Sequence, residues 1–178
     1  MWAQDWRVLM AGGSDRGQVR ANNQDAIGLW PEFGLCALAD GMGGHKAGEV
    51  ASQLAIDTLG AAAERIVSRL QQPATGPAEL LESIVQLANQ TILQAAQNSR
   101  AHQGMGTTLV VLLQHAGALH WASVGDSRLY QWRQGVLRQL TRDHNLFQQM
   151  VDQGHHRHDN VGNLPGRNVL TRALGINE

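Results

Sequence analysis

The chain has 178 residues, 43% hydrophobic and 16% charged, a composition that excludes disorder and allows one domain with a substantial core. Lys and Arg (14) nearly balance Asp and Glu (15), leaving a net charge of −1, so no strong field favours nucleic acid or an anionic membrane. The single cysteine, Cys36, excludes an internal disulfide and a thiolate zinc site.

No run approaches the ~18–20 apolar residues of a membrane span. The first seven residues lack the basic-then-apolar pattern of a signal peptide. The expectation is a soluble, cytoplasmic protein. Residues 8–11 are short and apolar and predict a strand, followed by a loop cluster over 12–17. Residues 26–30 and 34–39 predict a strand pair, with Pro31-Glu32-Phe33 between them. Cys36 lies in the second of these and is expected to be a small buried side chain.

A helix is predicted from Ala47. Its apolar face runs through Val50, Ala51, Leu54, Ala55, Leu59, Ala62, Ala63, Ile66, Val67 and Leu70. Gly60 is expected to weaken it. Pro73 to Pro77 interrupts the pattern. Pro77 suits a first helical position, with Gly76 as cap and Glu79 in the first turn. The second helix presents Leu81, Ile84, Val85, Ala88, Ile92 and Ala95. From Thr107 the period becomes strand-like, with short strands over 107–113, 119–124, 129–132 and 136–140. Residues 146–151 predict a short helix, and 155–166 a polar surface loop. The fold class is α+β.

Five stretches carry candidate chemistry: Arg20-Ala21-Asn22-Asn23-Gln24-Asp25; Asp40-Gly41-Met42-Gly43-Gly44-His45 and on to Glu49; Gly106-Thr107-Thr108; Gly125-Asp126-Ser127-Arg128 with Thr141-Arg142-Asp143-His144; and Asn168-Val169-Leu170-Thr171-Arg172-Ala173-Leu174-Gly175. Taken singly, each has a plain structural reading: an Asp as turn former, a Gly as bend, an Arg as surface charge. Asp25 and Asp40 also admit a joint reading. Asp40 closes an apolar strand at the rim of a sheet, and Gly41 leaves its carbonyl unobstructed. Carboxylates, a carbonyl and water are the ligand set of Mg²⁺ or Mn²⁺. Arg20 offers a planar fork suited to phosphate. The glycines after Asp40 lack the G-x-G-x-x-G spacing of a nucleotide loop, and no Gly-Lys-Ser/Thr follows them.

These five stretches, in this order, resemble the bacterial form of the PPM family of type-2C protein serine/threonine phosphatases. The resemblance runs from about Gly13 to Gly175. It implies a sandwich of two antiparallel β-sheets flanked by helices, over one catalytic domain covering 1–178. It implies two Mn²⁺ or Mg²⁺ ions sharing a water or hydroxide that attacks phosphorus, without a phosphoenzyme. Asp25, Asp40 and the Gly41 carbonyl are then metal ligands, and Asp126 helps to hold a third, weaker ion. Arg20 binds substrate phosphate, and His45 is a candidate proton donor to the leaving alkoxide. Implied partners are phosphorylated proteins and an opposing serine/threonine kinase. Neither a nucleic acid nor a membrane is expected as partner.

Members of that family continue for roughly 60 residues past the last stretch, with two further metal-binding aspartates. The expectation is a domain incomplete at its C-terminus, lacking the last strands and helix, in which the two-ion site does not form properly. The alternative function is an inactive fragment or pseudophosphatase that binds phosphoproteins. The cluster His155, His156 and His158 falls where the family has a flap beside its active site. His144 is expected to be structural.

Overall fold

Alternating burial along residues 25–42 is the mark of strands with one face covered. The computed structural model describes residues 8–43, 47–70, 76–154, 166 and 168–176. Strand β1 (Asp25–Trp30) pairs antiparallel with β2 (Leu35–Met42), joined by a short 3-10 turn at Pro31–Phe33. Two helices follow, α1 (Ala47–Leu70) and α2 (Pro77–Asn98). The chain then returns to the sheet through β3 (Gly106–Thr107), β4 (Leu109–His115) and β5 (Ala118–Val124). The strand order is β1-β2-β4-β5, with β3 alongside the end of β2. A separate hairpin, β6 (Tyr130–Arg133) and β7 (Val136–Gln139), precedes the short helix α3 (Leu146–Asp152). The protein is thus α+β, with antiparallel sheets and packed helices.

The core lies between one face of the five-stranded sheet and the helices. Ala26, Leu35, Ala37, Ala39, Leu109, Val111 and Leu113 point from the strands. Ala51, Ala55, Leu59, Ala63, Ala88 and Ile92 meet them from α1 and α2. Small residues on both layers let the helices sit close, and burial of the larger side chains contributes about 1.5–3 kcal/mol each. The opposite face carries Asp25, Ile27, Leu29, Leu38, Asp40 and Trp121. Leu29, Leu38 and Trp121 are exposed there.

The β4–β5 and β6–β7 hairpins close as the right-handed strand twist demands. Ala116 (φ 50) with Gly117 (φ 78), and Gln134 (φ 52) with Gly135 (φ 80), each place two successive residues at positive φ. Pro77 opens α2 with Gly76 as N-cap. The Glu79 carboxylate accepts the Gly76 N–H at 3.4 Å.

Two expectations need correction. Residues 8–11 form no strand: Leu9 is almost fully exposed, and an isolated apolar run has no ladder to join among the described residues. Gly60 does not interrupt α1, which runs 24 residues without a break. The Trp30 indole packs over it, and a side chain there would meet the ring at 3.0 Å. The glycine is a notch for a tryptophan, and the contact compensates its low helix propensity. The predicted loop over 155–166, apart from Gly166, and residues 73–75 of the predicted break over 73–77 lie outside the described residues. Among the described residues, no helix is long and apolar enough to cross a membrane.

Candidate metal and phosphate site

The site begins with register. Asp25 and Asp40 are cross-strand partners in the β1–β2 ladder. Each stands on the sheet face away from the helices, so the pairing brings two carboxylates together at the strand ends. The Asp25 N–H donates to Asn23 Oδ1 at 3.1 Å, and Asn23 Nδ2 donates to Ser14 Oγ at 2.7 Å. These bonds tie the loop before β1 to the first carboxylate. The Gly41 N–H donates to the Gln24 carbonyl at 2.9 Å, so pairing continues one step past Asp25.

Asp40 is held from its other side by Thr108. The Thr108 N–H donates to the Asp40 carbonyl at 2.9 Å, and the Asp40 N–H donates to Thr108 Oγ1 at 3.0 Å. A threonine side chain thus replaces a backbone carbonyl in the ladder. The Thr108 carbonyl is occupied instead by the Thr107 hydroxyl at 2.9 Å. Thr108 Oγ1 also lies 2.7 Å from Ser127 Oγ. Because Oγ1 accepts from Asp40, it can donate its proton to Ser127. This chain of bonds links Asp40 to the loop that carries Asp126.

Glycine at position 41 is required by packing. Its Cα faces the first turn of α1, where a Cβ would run into the Gly48 backbone. A Cβ on Gly48 would in turn lie 2.8 Å from the Gly41 carbonyl carbon. Helix and strand therefore touch backbone to backbone beside the carboxylates.

Arg20, Asp25, Asp40, Gly41 and Asp126 all line one open cavity of about 880 Å³. The sequence therefore located five residues, separated by up to 106 positions, that share a single site. The sixth, His45, lies outside the described residues, as do His155, His156 and His158. Asp15, Arg16, Thr108, Asn168, Val169 and Leu170 also line the cavity. Asp15 and Arg16 escaped because they stand in a Gly-rich cluster that reads as a turn. Thr108 and residues 168–170 lie within recognised motifs, but nothing in their residue types announces a role.

The electrostatics favour a cation. Asp40 is raised from 3.8 to about 6, first by burial, then by the charge of Asp25 and a hydrogen bond with it, then by Asp126. The positive charge of Arg20 acts in the opposite direction. A divalent ion would relieve the carboxylate repulsion, and the all-oxygen donor set suits Mg²⁺ or Mn²⁺. The residues fit such an ion in kind. In number they are sparse: among the described residues, no three Asp, Glu, His or Cys side chains converge closely enough to hold one ion.

His144 lies behind this cavity. Burial and then the charge of Arg172 push its imidazole below the usual value, against a raising effect from Asp143. The neutral ring accepts the Gly125 N–H on Nδ1 at 3.2 Å.

Residues 13–159 match the family model for protein phosphatase 2C. The chain belongs to the protein phosphatase 2C family. It is 36% identical over 166 residues to the serine/threonine phosphatase stp of Listeria innocua, a match covering 92% of this chain and 65% of that protein. The chain thus spans just under two thirds of the length of that relative. The crystal structure of the Mycobacterium tuberculosis serine/threonine phosphatase PstP/Ppp superposes with a TM-score of 0.82 at 38% identity, covering 93% of this chain and 67% of that one. A structure of the PstP catalytic domain in complex with two manganese ions gives 0.76 at 37% identity, covering 92% and 65%. As a protein phosphatase 2C, the chain has the fold that the five motifs implied, and the cavity at its strand ends is the natural candidate for the family's chemistry.

Proposed function

We propose that this chain belongs to the catalytic domain of a Mn²⁺- or Mg²⁺-dependent phosphatase acting on phosphoserine and phosphothreonine in proteins. The observation that carries the reading is the cross-strand pair Asp25 and Asp40, set in one cavity with Arg20 and Asp126. Family membership and relatives named as serine/threonine phosphatases support it. Asp25 and Asp40, with the Gly41 carbonyl, would hold the ion, and Asp126 would hold a weaker one. When bound, the ion supplies a water of lowered pKa and neutralises phosphate charge.

The remaining work falls to side chains of this chain. Arg20 would receive the substrate phosphate through its planar fork and orient it toward the carboxylate pair. His45 would donate a proton to the departing serine or threonine oxygen. The substrates are phosphorylated proteins, and the enzyme opposes a serine/threonine kinase. A cytoplasmic setting accords with the single cysteine. Two carboxylates cannot offset two divalent charges, so Asp25 and Asp40 are expected to hold one ion, weakly, where a complete site would hold two.

The test is p-nitrophenyl phosphate hydrolysis by the purified chain with and without Mn²⁺, beside Asp40→Asn. Slow turnover that needs Mn²⁺ and vanishes in the variant supports the reading. A folded chain that shows no turnover with Mn²⁺, or turnover indifferent to Asp40, overturns it. Calorimetry that found two tightly bound Mn²⁺ would overturn the stoichiometry.

A further inference from the structure

The loop that carries Asp126 runs between β5 and β6 and belongs to no ladder. It is held from behind by residues 141–144, none of which lines the cavity with Asp25 and Asp40. The Leu129 N–H donates to Thr141 Oγ1 at 3.0 Å. Asp143 accepts from Arg128 Nη2 at 2.6 Å and from its Nε at 2.9 Å. His144 makes the closest grip. Its backbone N–H donates to the Gly125 carbonyl at 2.9 Å, and its Nδ1 accepts the Gly125 N–H at 3.2 Å. One histidine therefore satisfies both backbone polar groups of Gly125.

Gly125 is the residue where that grip matters. Its φ is +97, and a Cβ would lie 2.6 Å from Thr108 Cγ2. Only glycine fits, and glycine is also the residue least able to hold one conformation by itself. The peptide leaving Gly125 sets the direction of Asp126. Without an external hold, the carboxylate would swing with that peptide.

We propose that His144 is a positioning residue: by holding both backbone groups of Gly125, it aims Asp126 into the cavity shared with Asp25 and Asp40. It touches neither cation nor substrate. The consequence for cation binding rests on the reading of Asp126 as a ligand given above. The hold on Gly125 does not.

Three variants of the full chain separate positioning from mere packing: His144→Ala, His144→Asn and His144→Gln. An asparagine Oδ1 can take the place of Nδ1, whereas a glutamine amide reaches toward the place of Nε2. Amide exchange and Mg²⁺-induced chemical-shift change, both by NMR, give the two readouts. In the Ala and Gln variants the Gly125 amide should exchange roughly tenfold faster, while amides of β1 and β2 keep their protection. The Mg²⁺ concentration that half-shifts the Asp126 amide should rise several-fold in those two, with the Asp25 and Asp40 amides little affected. The Asn variant should restore both values. Uniform loss of protection across the sheet in all three variants would overturn the proposal. So would a Gly125 amide indifferent to all of them. If Mg²⁺ leaves the Asp126 amide unshifted in the unaltered chain, the ligand reading of Asp126 falls, and Gly125 exchange still decides the hold.

Discussion

Asp25 and Asp40 occupy directly opposed positions where β1 and β2 meet the cavity. Two carboxylates paired across strands are an unfavourable pair in any protein without a cation nearby. The fold nevertheless imposes the arrangement through register, because a one-residue slip of either strand would put the two carboxylates on opposite faces of the sheet.

That imposed repulsion gives a pH dependence. Asp40 is raised from 3.8 to about 6, so the folded chain binds this proton more tightly than the unfolded one. The stability it contributes is fully present below about 4 and is lost as pH rises through about 6. Asp40→Asn should therefore stabilise the metal-free chain at pH 7.5 and change it little below about pH 4. Solvent screening keeps the gain small, about 2–4 °C in melting temperature. Thermal unfolding at the two pH values checks it. Mn²⁺ affinity should fall in the same window on acidification, since the ligand must give up its proton.

Thr108 is the second test. It is buried, and its hydroxyl both accepts from Asp40 and meets Ser127. Thr108→Val keeps the shape and removes both bonds, leaving the Asp40 N–H unpaired. The expected cost is about 1–3 kcal/mol in urea unfolding. Thr108→Ser keeps the hydroxyl and should lose less. A valine variant as stable as the parent would show that the Asp40 backbone does not depend on this side chain.

The Gly41–Gly48 contact predicts steric intolerance at the helix start. Gly48→Ala inserts a methyl 2.8 Å from the Gly41 carbonyl carbon and 2.9 Å from its oxygen, backbone atoms that yield less readily than the Gln24 side chain at 3.0 Å. Destabilisation of about 1–3 kcal/mol is expected despite the better helix propensity of alanine. The same substitution at Gly76, where nothing lies within 4 Å, should be tolerated far better. Chemical denaturation of the two variants side by side gives the comparison.

The ion pair behind the Asp126 loop is asymmetric: the Arg128 side chain is 48% exposed and that of Asp143 only 6%. Gln139 Nε2 and Asn145 Nδ2 also donate to Asp143, at 3.2 and 3.4 Å. Removing the arginine leaves a buried carboxylate served by neutral amides alone. Arg128→Ala should cost about 2 kcal/mol, and adding Asp143→Asn should recover part of it by removing the stranded charge. A double-mutant cycle in urea measures the coupling, and strict additivity of the two changes would refute it.

Much of this was legible in the sequence because periodicity and turn chemistry are local. The strands around Pro31–Phe33, both long helices, the hairpin turns and the short helix after Asn145 fell where their residues placed them. Arg20, Asp25, Asp40, Gly41 and Asp126 could be named because their motifs are specific, and they do line one cavity. What stayed hidden depends on tertiary contact. The apolar run at 8–11 has the composition of a strand and no partner among the described residues. Gly60 reads as a helix weakness until the Trp30 ring is seen above it. Thr108 looks like any β-branched strand residue, and only the three-dimensional register shows its hydroxyl standing in for a carbonyl. His144 offered no local sign that it would grip a glycine nineteen residues earlier.

The Trp30 indole, wedged between the Gly28 strand position and Gly60 of α1, makes the joint between sheet and helix optically readable. Trp121 and Trp132 are exposed and should emit at long wavelength, whereas Trp30 is largely shielded. Because the first turn of the same helix abuts Gly41 beside the carboxylate pair, a cation that drew Asp25 and Asp40 together would strain that joint. The protein thus carries a built-in spectroscopic gauge of its own site, one that needs no label and no substrate.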